Sequence, residues 1–285
     1  MEKSETIILS NEEKFQNEKS IYLIIIIILI GFCIYSIFFS DSKNIQVQSQ
    51  LKNLYLNQLN LKNKFDPIIN PDYNKISLDN DSVIILENFL NPEFFLYLKD
   101  QFKNKNFESK DFYQRKGSGI GFYSLANSSD LNGFVELYLS YEITEELSKI
   151  FGKSINRPAL SDNNACSILA YTKSGDFIDW HIDDPTLHGD RYVALLSIIN
   201  DNKDSECCSE NEFMYKIKEE VNKVKLKPNC LMIFKGGEIP HKSTAIGDLE
   251  KRILLSMTFC DICQQKKNIF YDVYENIKNY ILYEK

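Results

Sequence analysis

The sequence predicts an α+β domain that is mainly β, in which helices precede an antiparallel sandwich or barrel. Apolar residues recur at helical spacing after Pro92 and again over about residues 131–151. Beyond residue 165 the pattern changes to short apolar runs separated by turns that contain Gly and Asp, which is typical of antiparallel sheets. The expected strands cover residues 166–171, 177–183, 192–199, 223–226, 230–234 and 252–259.

The first strand and the first helix of this domain are expected just after residue 81. Val83 begins a continuous apolar run of strand length. Asn91 is a favourable helix N-cap, and Pro92 suits the first turn because its missing N–H needs no partner there. The apolar face of the helix would consist of Phe95, Leu98 and Phe102.

Residues 20–40 form an uncharged, strongly apolar stretch between Lys19 and Asp41. A helix of that length spans a hydrocarbon core of about 30 Å, so the stretch predicts one transmembrane helix. A cleaved signal peptide is the alternative, but it would have a shorter apolar region and small residues at its cleavage site. Phe38 and Phe39 do not fit such a site. We therefore expect an uncleaved signal anchor.

The charges that flank residues 20–40 favour a cytosolic N-terminus, by the margin of one lysine. The lysines compared are Lys3, Lys14 and Lys19 before the stretch, and Lys43 and Lys52 after it. The large domain would then lie in the lumen of the endoplasmic reticulum or of another secretory membrane. In a lumen, Asn80 and Asn127 would be glycosylation acceptors. The cysteines do not decide the compartment, because their number suits disulfides and free thiols alike.

These features divide the chain into five parts. Residues 1–19 are a short tail, 20–40 the anchor, 41–80 a polar stem or linker, 81–263 the folded domain and 264–285 a C-terminal helix. Apolar residues at helical spacing predict this last helix, which is expected to pack on the sheet. The net charge of −7 gives no electrostatic footprint for nucleic acid, whose binding depends on Lys and Arg. No nucleic-acid partner is therefore expected.

Two of the three histidines form a pattern that suits a metal ion. His181 and Asp183 are two residues apart in an expected strand, so their side chains point to the same face. His241, far along the chain, completes a set of two imidazoles and one carboxylate. Such a set leaves metal positions open for a co-substrate and oxygen, as non-haem Fe(II) oxygenases require. The alternative is that all three are ordinary polar residues of a β-sandwich.

Three other residues that attract attention have simpler interpretations. His188 lies in a turn-like run and is expected to be solvated. Cys260 and Cys263 form a C-x-x-C pair without a second pair or a βαβ context. We interpret them as two thiols at the end of a strand.

Several sequence blocks stand in a fixed order over about residues 82–260. They are VIILENFLNP from Val83, Tyr171 with Gly175 and Phe177, HIDDP from His181, GDRYVALLSIIN from Gly189, IPHKS from Ile239 and KRILLSMTF from Lys251. Together they resemble the Fe(II)- and 2-oxoglutarate-dependent dioxygenases, and among them the prolyl 4-hydroxylase superfamily with its hypoxia-factor type. The resemblance implies a double-stranded β-helix core of the jelly-roll or cupin-like type, with supporting N-terminal helices.

The resemblance also implies roles for individual residues. His181, Asp183 and His241 would be the iron ligands and the catalytic residues, and Arg252 would bind the far carboxylate of 2-oxoglutarate. A guanidinium suits a carboxylate because it offers two charge-assisted hydrogen bonds. Tyr171 would lie beside the co-substrate.

Lys251 is a rival of Arg252 for the co-substrate, because some collagen-type members of the family use lysine. Strand parity favours Arg252, which shares its face with Ser256 and Thr258, whereas Lys251 shares its face with apolar residues. The polar face should line the pocket. There Ser256 or Thr258 would add a hydroxyl to the co-substrate site, or would be an ordinary strand residue.

The activity implied by the resemblance is hydroxylation of a C–H bond in a prolyl or other side chain of a protein or peptide. Fe(II), 2-oxoglutarate and O2 would be required, with ascorbate as a further cofactor, and 2-oxoglutarate would be converted to succinate and carbon dioxide. Residues 202–211 stand in place of a short sequence motif that is common in prolyl hydroxylases, and Ile198 stands in place of a tyrosine of some hypoxia-type members. These departures leave the substrate open.

Two alternatives remain. DFIDWHIDD and RILLSMTF also look like the AlkB branch of oxidative demethylases, but Thr258 stands where that branch has a second arginine. The anchor and the acidity further disfavour a nucleic-acid substrate. The second alternative is a non-catalytic binding module that kept the β-fold.

Overall fold

The computed structural model describes residues 21–24, 26–31, 34, 64–102, 105–112, 114–159, 162, 164–183, 186–202 and 208–266. Within these residues the chain forms twelve strands and four helices outside the N-terminal apolar stretch. The first strands are β1 (Asn74–Leu78), β2 (Val83–Glu87), β3 (Lys110–Phe112), β4 (Arg115–Ile120), β5 (Cys166–Tyr171) and β6 (Phe177–His181). The remaining strands are β7 (Arg191–Asp201), β8 (Phe213–Ile217), β9 (Glu220–Val224), β10 (Leu231–Lys235), β11 (His241–Ser243) and β12 (Lys251–Cys260). The helices are α1 (Pro92–Asp100), α2 (Phe122–Asn127), α3 (Asn132–Leu139) and α4 (Tyr141–Phe151).

The strands form one antiparallel sheet in the order β1-β2-β10-β7-β12-β5-β4-β6-β11-β8-β9, with β3 added beside β4. β4 joins the two halves, because its C-terminal part pairs with β5 and its N-terminal part with β6. One inner core unites the halves, since Val193 and Phe234 of the first half cluster with Phe213 of the second. The sheet therefore curls over on itself. This mainly β, curled antiparallel architecture is consistent with the predicted jelly-roll core.

The helices cover the outer face of the first half of the sheet. Their apolar side chains pack against every second residue of β12, among them Leu255 and Phe259. The ring of Tyr138 lies 5.5 Å from the ring of Phe259, and its hydroxyl donates to the Thr258 carbonyl at 3.1 Å. The helices thus form the predicted layer, and they bury their apolar faces against the sheet.

Local capping explains where α1 and α4 begin. The Asn91 side chain accepts a hydrogen bond from the Glu93 N–H at 2.9 Å, as predicted for the start of α1. The single helix expected over 131–151 is two helices, α3 and α4. Ser140 has an extended backbone, with ψ 133°, and its side chain accepts from the Glu142 N–H at 3.2 Å. The chain therefore stops and restarts a helix at Ser140.

The six predicted strands correspond to β5, β6, β7, β9, β10 and β12, with shifted ends. β6 ends at His181, two residues before its predicted end, and β9 covers 220–224 instead of 223–226. The strands β1, β3, β4 and β8 were not predicted. β1 is polar, β3 is short and β4 contains two glycines, so that neighbouring strands rather than local sequence keep these three extended.

The structure adds residues 64–80 to the folded unit, although they were expected to be the end of a stem. Phe65 and Ile68 are buried in the helix-side core, and β1 pairs along its length with β2. β1 is an edge strand whose residues are mostly exposed, which gives it the polar composition of a linker.

The two ends of the chain fall largely outside the described residues. In the predicted anchor, residues 21–24, 26–31 and 34 are helical and exposed. No helix in the described part of the chain combines the length and the hydrophobicity needed to cross a membrane. At the C-terminus, residues 264–266 are not helical and lie along residues 186–188. The rest of the expected tail helix lies outside the described residues.

Candidate metal centre

His181, Asp183 and His241 come together at the mouth of the curled sheet. His181 ends β6 and His241 begins β11, and the two residues face each other in the antiparallel register of these strands. Their ring centroids are 4.1 Å apart. One ligand atom from each of the three residues lies within 4.8 Å of the others. Three side chains from two distant segments of the chain can therefore hold a single cation.

Backbone carbonyls orient both imidazoles in the same way. His181 Nδ1 lies 2.7 Å from the Asp179 carbonyl oxygen, and His241 Nδ1 lies 2.9 Å from the Ile239 carbonyl oxygen. A carbonyl oxygen only accepts hydrogen bonds, so each Nδ1 carries the proton. Each Nε2 is then left with a lone pair for a metal, as is typical of metal-binding histidines.

The aromatic surroundings keep His241 neutral. Its ring is buried, and the ring centroids of Phe234 and Phe213 lie 4.8 Å and 5.6 Å from its own. Burial lowers the pKa of the His241 imidazole to about 4, against the opposing effect of the Asp183 carboxylate and together with that of His181. A neutral imidazole at neutral pH is the form that binds a metal.

Arg252 is a fully buried cation whose hydrogen-bond partners are neutral. Its Nη1 donates to the Asn211 side-chain oxygen at 2.6 Å and to the Ser243 hydroxyl. Its guanidinium carbon lies 6.0 Å from the centroid of the Tyr171 ring. Among the described residues, no carboxylate forms an ion pair with it. Burial lowers the pKa of Arg252 to about 10, and the group stays charged at neutral pH.

A short strand connects Arg252 to the metal ligands. Ser243 and His241 both belong to β11 and are both buried. Residues two apart in a strand point to the same side and are separated by about 7 Å. Because Ser243 accepts a hydrogen bond from Arg252, the guanidinium lies at roughly this separation from the ligand His241. Such a separation suits a small dicarboxylate bound between the two sites. Tyr171 is the registered partner of Arg252 on β5.

The structure gives less direct support to the other residues that were predicted to bind the co-substrate. Lys251 is partly exposed, and the apolar residues that share its face pack in the helix-side core. Thr258 is buried, and its hydroxyl accepts from an Arg191 guanidinium nitrogen at 3.2 Å. Ser256 is half-buried beside Ser167. Among the described residues, none of these three side chains forms a hydrogen bond with the Arg252 side chain, so the co-substrate role remains a prediction for them.

Sequence reasoning missed the two residues that orient Arg252. Asn211 and Ser243 are buried and hydrogen-bond to each other at 3.0 Å. Ser243 could have been found by strand parity, because it stands two residues after His241. Asn211 carries no such signal, because it lies at the end of a loop whose path the sequence does not specify.

The remaining residues of interest lie elsewhere. His188 is exposed, as expected, and is not part of the three-residue group. The interpretation of Cys260 and Cys263 as two thiols is wrong, because the structure joins them in a disulfide. The strand ends at Cys260 and the chain turns at once, which brings the two α-carbons to 5.3 Å.

No protein-family model and no curated protein matches the chain. Among solved structures, the chain is similar to 2-oxoglutarate and Fe(II) oxygenases. A prolyl hydroxylase from Trichoplax adhaerens, in complex with a hypoxia inducible factor peptide, is 17% identical over 76% of this chain and 92% of that chain, with a TM-score of 0.44. A prolyl-4-hydroxylase from Pseudomonas putida is 14% identical over 63% of this chain and 92% of that one, with a TM-score of 0.44. HygX from Streptomyces hygroscopicus, with nickel and 2-oxoglutarate bound, is 9% identical over 63% and 82%, with a TM-score of 0.45.

Proposed function

We propose that this chain is a non-haem Fe(II)- and 2-oxoglutarate-dependent dioxygenase that hydroxylates a C–H bond. The observation that carries the proposal is a pairing of two sites. His181, Asp183 and His241 can share one cation, and a buried guanidinium without an acidic partner lies next to them. The first site suits a divalent metal, and the second suits an anion.

The donor set fits Fe(II). Two neutral imidazole nitrogens and one carboxylate oxygen are the ligands of the facial triad that non-haem iron oxygenases use, and they leave positions open. The iron, when bound, would activate oxygen. The protein's part is to hold the ligands, to position the two organic substrates and to exclude water.

Arg252 would bind the far carboxylate of 2-oxoglutarate. Its burial removes water as a hydrogen-bonding partner, so an incoming carboxylate would meet a desolvated cation. Asn211 and Ser243 hold Nη1, which orients the guanidinium before the co-substrate arrives. Leu254 and Ile246 pack against Tyr171 and would form the apolar wall of this end of the pocket.

For the organic substrate we propose a prolyl or other side chain of a protein or peptide. The sequence blocks shared with prolyl 4-hydroxylases support this choice.

We further propose that residues 20–40 anchor the enzyme in a secretory membrane, with the catalytic domain in the lumen. The support is the uncharged apolar composition of this stretch and the excess of lysine before it. Its described residues are helical, with exposed apolar side chains such as Ile24 and Leu29. Anchoring would place the domain next to proteins that enter the secretory pathway.

The proposal is tested by turnover of the full-length chain in detergent with Fe(II), 2-oxoglutarate, ascorbate and a library of proline-containing peptides. We expect succinate release that depends on iron and on peptide, and a mass increase of one oxygen in the peptide. Binding of metal and 2-oxoglutarate without peptide turnover would remove the prolyl assignment and keep the oxygenase class. Absence of metal binding would leave only the non-catalytic module. Demethylation of a methylated oligonucleotide that replaces the peptides in a parallel assay would favour the AlkB-like alternative.

A further inference from the structure

We propose that Gly236 is the positioning residue for Asp183, and that its missing side chain is what lets the carboxylate reach the metal. This inference rests on the metal centre proposed above. Asp183 lies beyond the end of β6, where no strand pairing holds it. Another part of the fold must therefore set the direction of its side chain.

Gly236 contacts Asp183 in two ways: through its backbone carbonyl, and at the position on its α-carbon where a side chain would begin. The Asp183 N–H donates to the Gly236 carbonyl at 2.9 Å. A Cβ built on Gly236 would overlap the Asp183 Oδ2 and would lie 3.1 Å from the Asp183 Cγ. The carboxylate thus occupies the space that any side chain at this position would fill.

The same turn also controls a second ligand. Residues 235–240 connect β10 to β11, and the Ile239 N–H donates to the Lys235 carbonyl at 3.0 Å. The Ile239 carbonyl in turn accepts from the His241 imidazole. One turn therefore fixes the direction of Asp183 at its start and of His241 at its end.

Val193 closes the space on the other side. The Cβ built on Gly236 would lie 2.6 Å from Val193 Cγ2, so an added methyl group could not be accommodated by turning away from the carboxylate. The Asp183 side chain is the more easily moved neighbour, because it is partly exposed and rotates about a single bond to its Cα. We expect an alanine at 236 to displace the carboxylate and leave the fold in place.

Gly237 provides a matched control. Among the described residues, a Cβ on Gly237 would meet only the Asp183 backbone oxygen, at 3.8 Å, which is ordinary contact. Neither glycine requires a left-handed backbone, since neither is among the glycines with positive φ. The two substitutions therefore add the same methyl group to the same turn and differ in what that group meets.

The experiment compares Mn(II) binding by full-length wild type, Gly236→Ala and Gly237→Ala, measured by electron paramagnetic resonance of free Mn(II). We expect affinity to fall by about 10- to 100-fold for Gly236→Ala, the range found when partners that orient metal ligands are removed, and to stay near wild type for Gly237→Ala. Thermal unfolding in the presence of a chelator should show a modest loss of stability for Gly236→Ala, caused by the overlap with Val193, and little change for Gly237→Ala.

The double variant Gly236→Ala with Val193→Ala separates positioning from packing. It relieves the overlap with Val193 but not the overlap with Asp183, so we expect Mn(II) affinity to remain weak while stability matches the wild type more closely. Recovery of metal affinity in this variant, or an equal loss in Gly237→Ala, would overturn the role of Gly236. Equal Mn(II) binding by Gly236→Ala and wild type would overturn it as well. A wild type that binds no Mn(II) would instead overturn the proposed function.

Discussion

The guanidinium of Arg252 donates a hydrogen bond to the hydroxyl of Ser243. This contact ties β12 to β11, the strand that begins with the metal ligand His241. The cation that would bind the co-substrate is thereby held at a fixed separation from the metal ligands. The proposed metal and co-substrate sites are therefore parts of one polar arrangement.

Replacing Arg252 should weaken 2-oxoglutarate binding and spare the metal. For Arg252→Gln we expect the dissociation constant of 2-oxoglutarate to rise about 10- to 100-fold, the equivalent of a lost charge-assisted hydrogen bond. Lys251→Gln is the matched control and should stay near wild type, because Lys251 lies on the other face of the strand. Calorimetric titration of the Mn(II)-loaded chain measures both. A larger loss in Lys251→Gln would reverse the assignment.

An acidic residue at 211 should compete with the co-substrate. In Asn211→Asp the new carboxylate would lie beside the Arg252 guanidinium, where the amide oxygen now accepts at 2.6 Å. It would supply the anion that Arg252 lacks, so we expect 2-oxoglutarate affinity to fall by about tenfold or more. Asn211→Ala removes the amide without adding charge and should have the smaller effect. The reverse order of the two variants would show that orientation, and not charge, governs binding.

The metal-free protein should lose stability as the pH falls below the pKa of an ordinary histidine. Burial depresses the pKa of His241 to about 4 in the folded state, whereas the pKa in the unfolded state is the ordinary histidine value of 6.5. Between these two pKa values, the unfolded state binds a proton that the folded state does not bind. The contribution of neutral His241 to the free energy of unfolding is therefore fully present above the unfolded pKa, and it is lost as the pH falls through this window.

Urea unfolding with a chelator at several pH values measures this loss. We expect a decrease on the order of 3 kcal/mol across the window, and a much flatter profile for His241→Gln. Identical profiles for the two proteins would contradict the assignment of the effect to His241.

Lumenal orientation predicts glycosylation at two sites. Asn80 and Asn127 are exposed, so an oligosaccharide could be attached to either one without disturbing the core. We expect an endoglycosidase to reduce the apparent mass of the chain expressed in a secretory system, and Asn80→Gln with Asn127→Gln to abolish the shift. A chain that shows no shift while it sediments with membranes would place the domain on the cytosolic side.

The sequence could predict those features that depend on local periodicity. The side-chain alternation of a strand places Arg252 and Lys251 on opposite faces, and the structure buries the first and leaves the second partly exposed. The same rule predicts that His181 and Asp183 share a face, but β6 ends at His181, and the direction of Asp183 depends on contacts outside that strand. Capping chemistry at Asn91 marks the start of a helix in the same local way.

Other features depend on contacts between distant segments. β1 and β4 are extended because their neighbours pair with them, and their own polar residues do not indicate it. Asn211 meets Arg252 through the path of a loop. Gly236 matters for a carboxylate more than fifty residues earlier in the chain. Periodicity carries no information on such pairs, so they had to be seen in the fold.

The central claim, that His181, Asp183 and His241 share one cation, is tested most directly by the stoichiometry of Mn(II) binding to the full-length chain. The decisive comparison is Asp183→Ala with Asp179→Ala, because Asp179 is an exposed aspartate of β6 that contributes only its backbone carbonyl to His181. We predict one Mn(II) per chain for wild type and for Asp179→Ala, and no tight binding for Asp183→Ala. Retention of tight Mn(II) binding by Asp183→Ala would contradict the account.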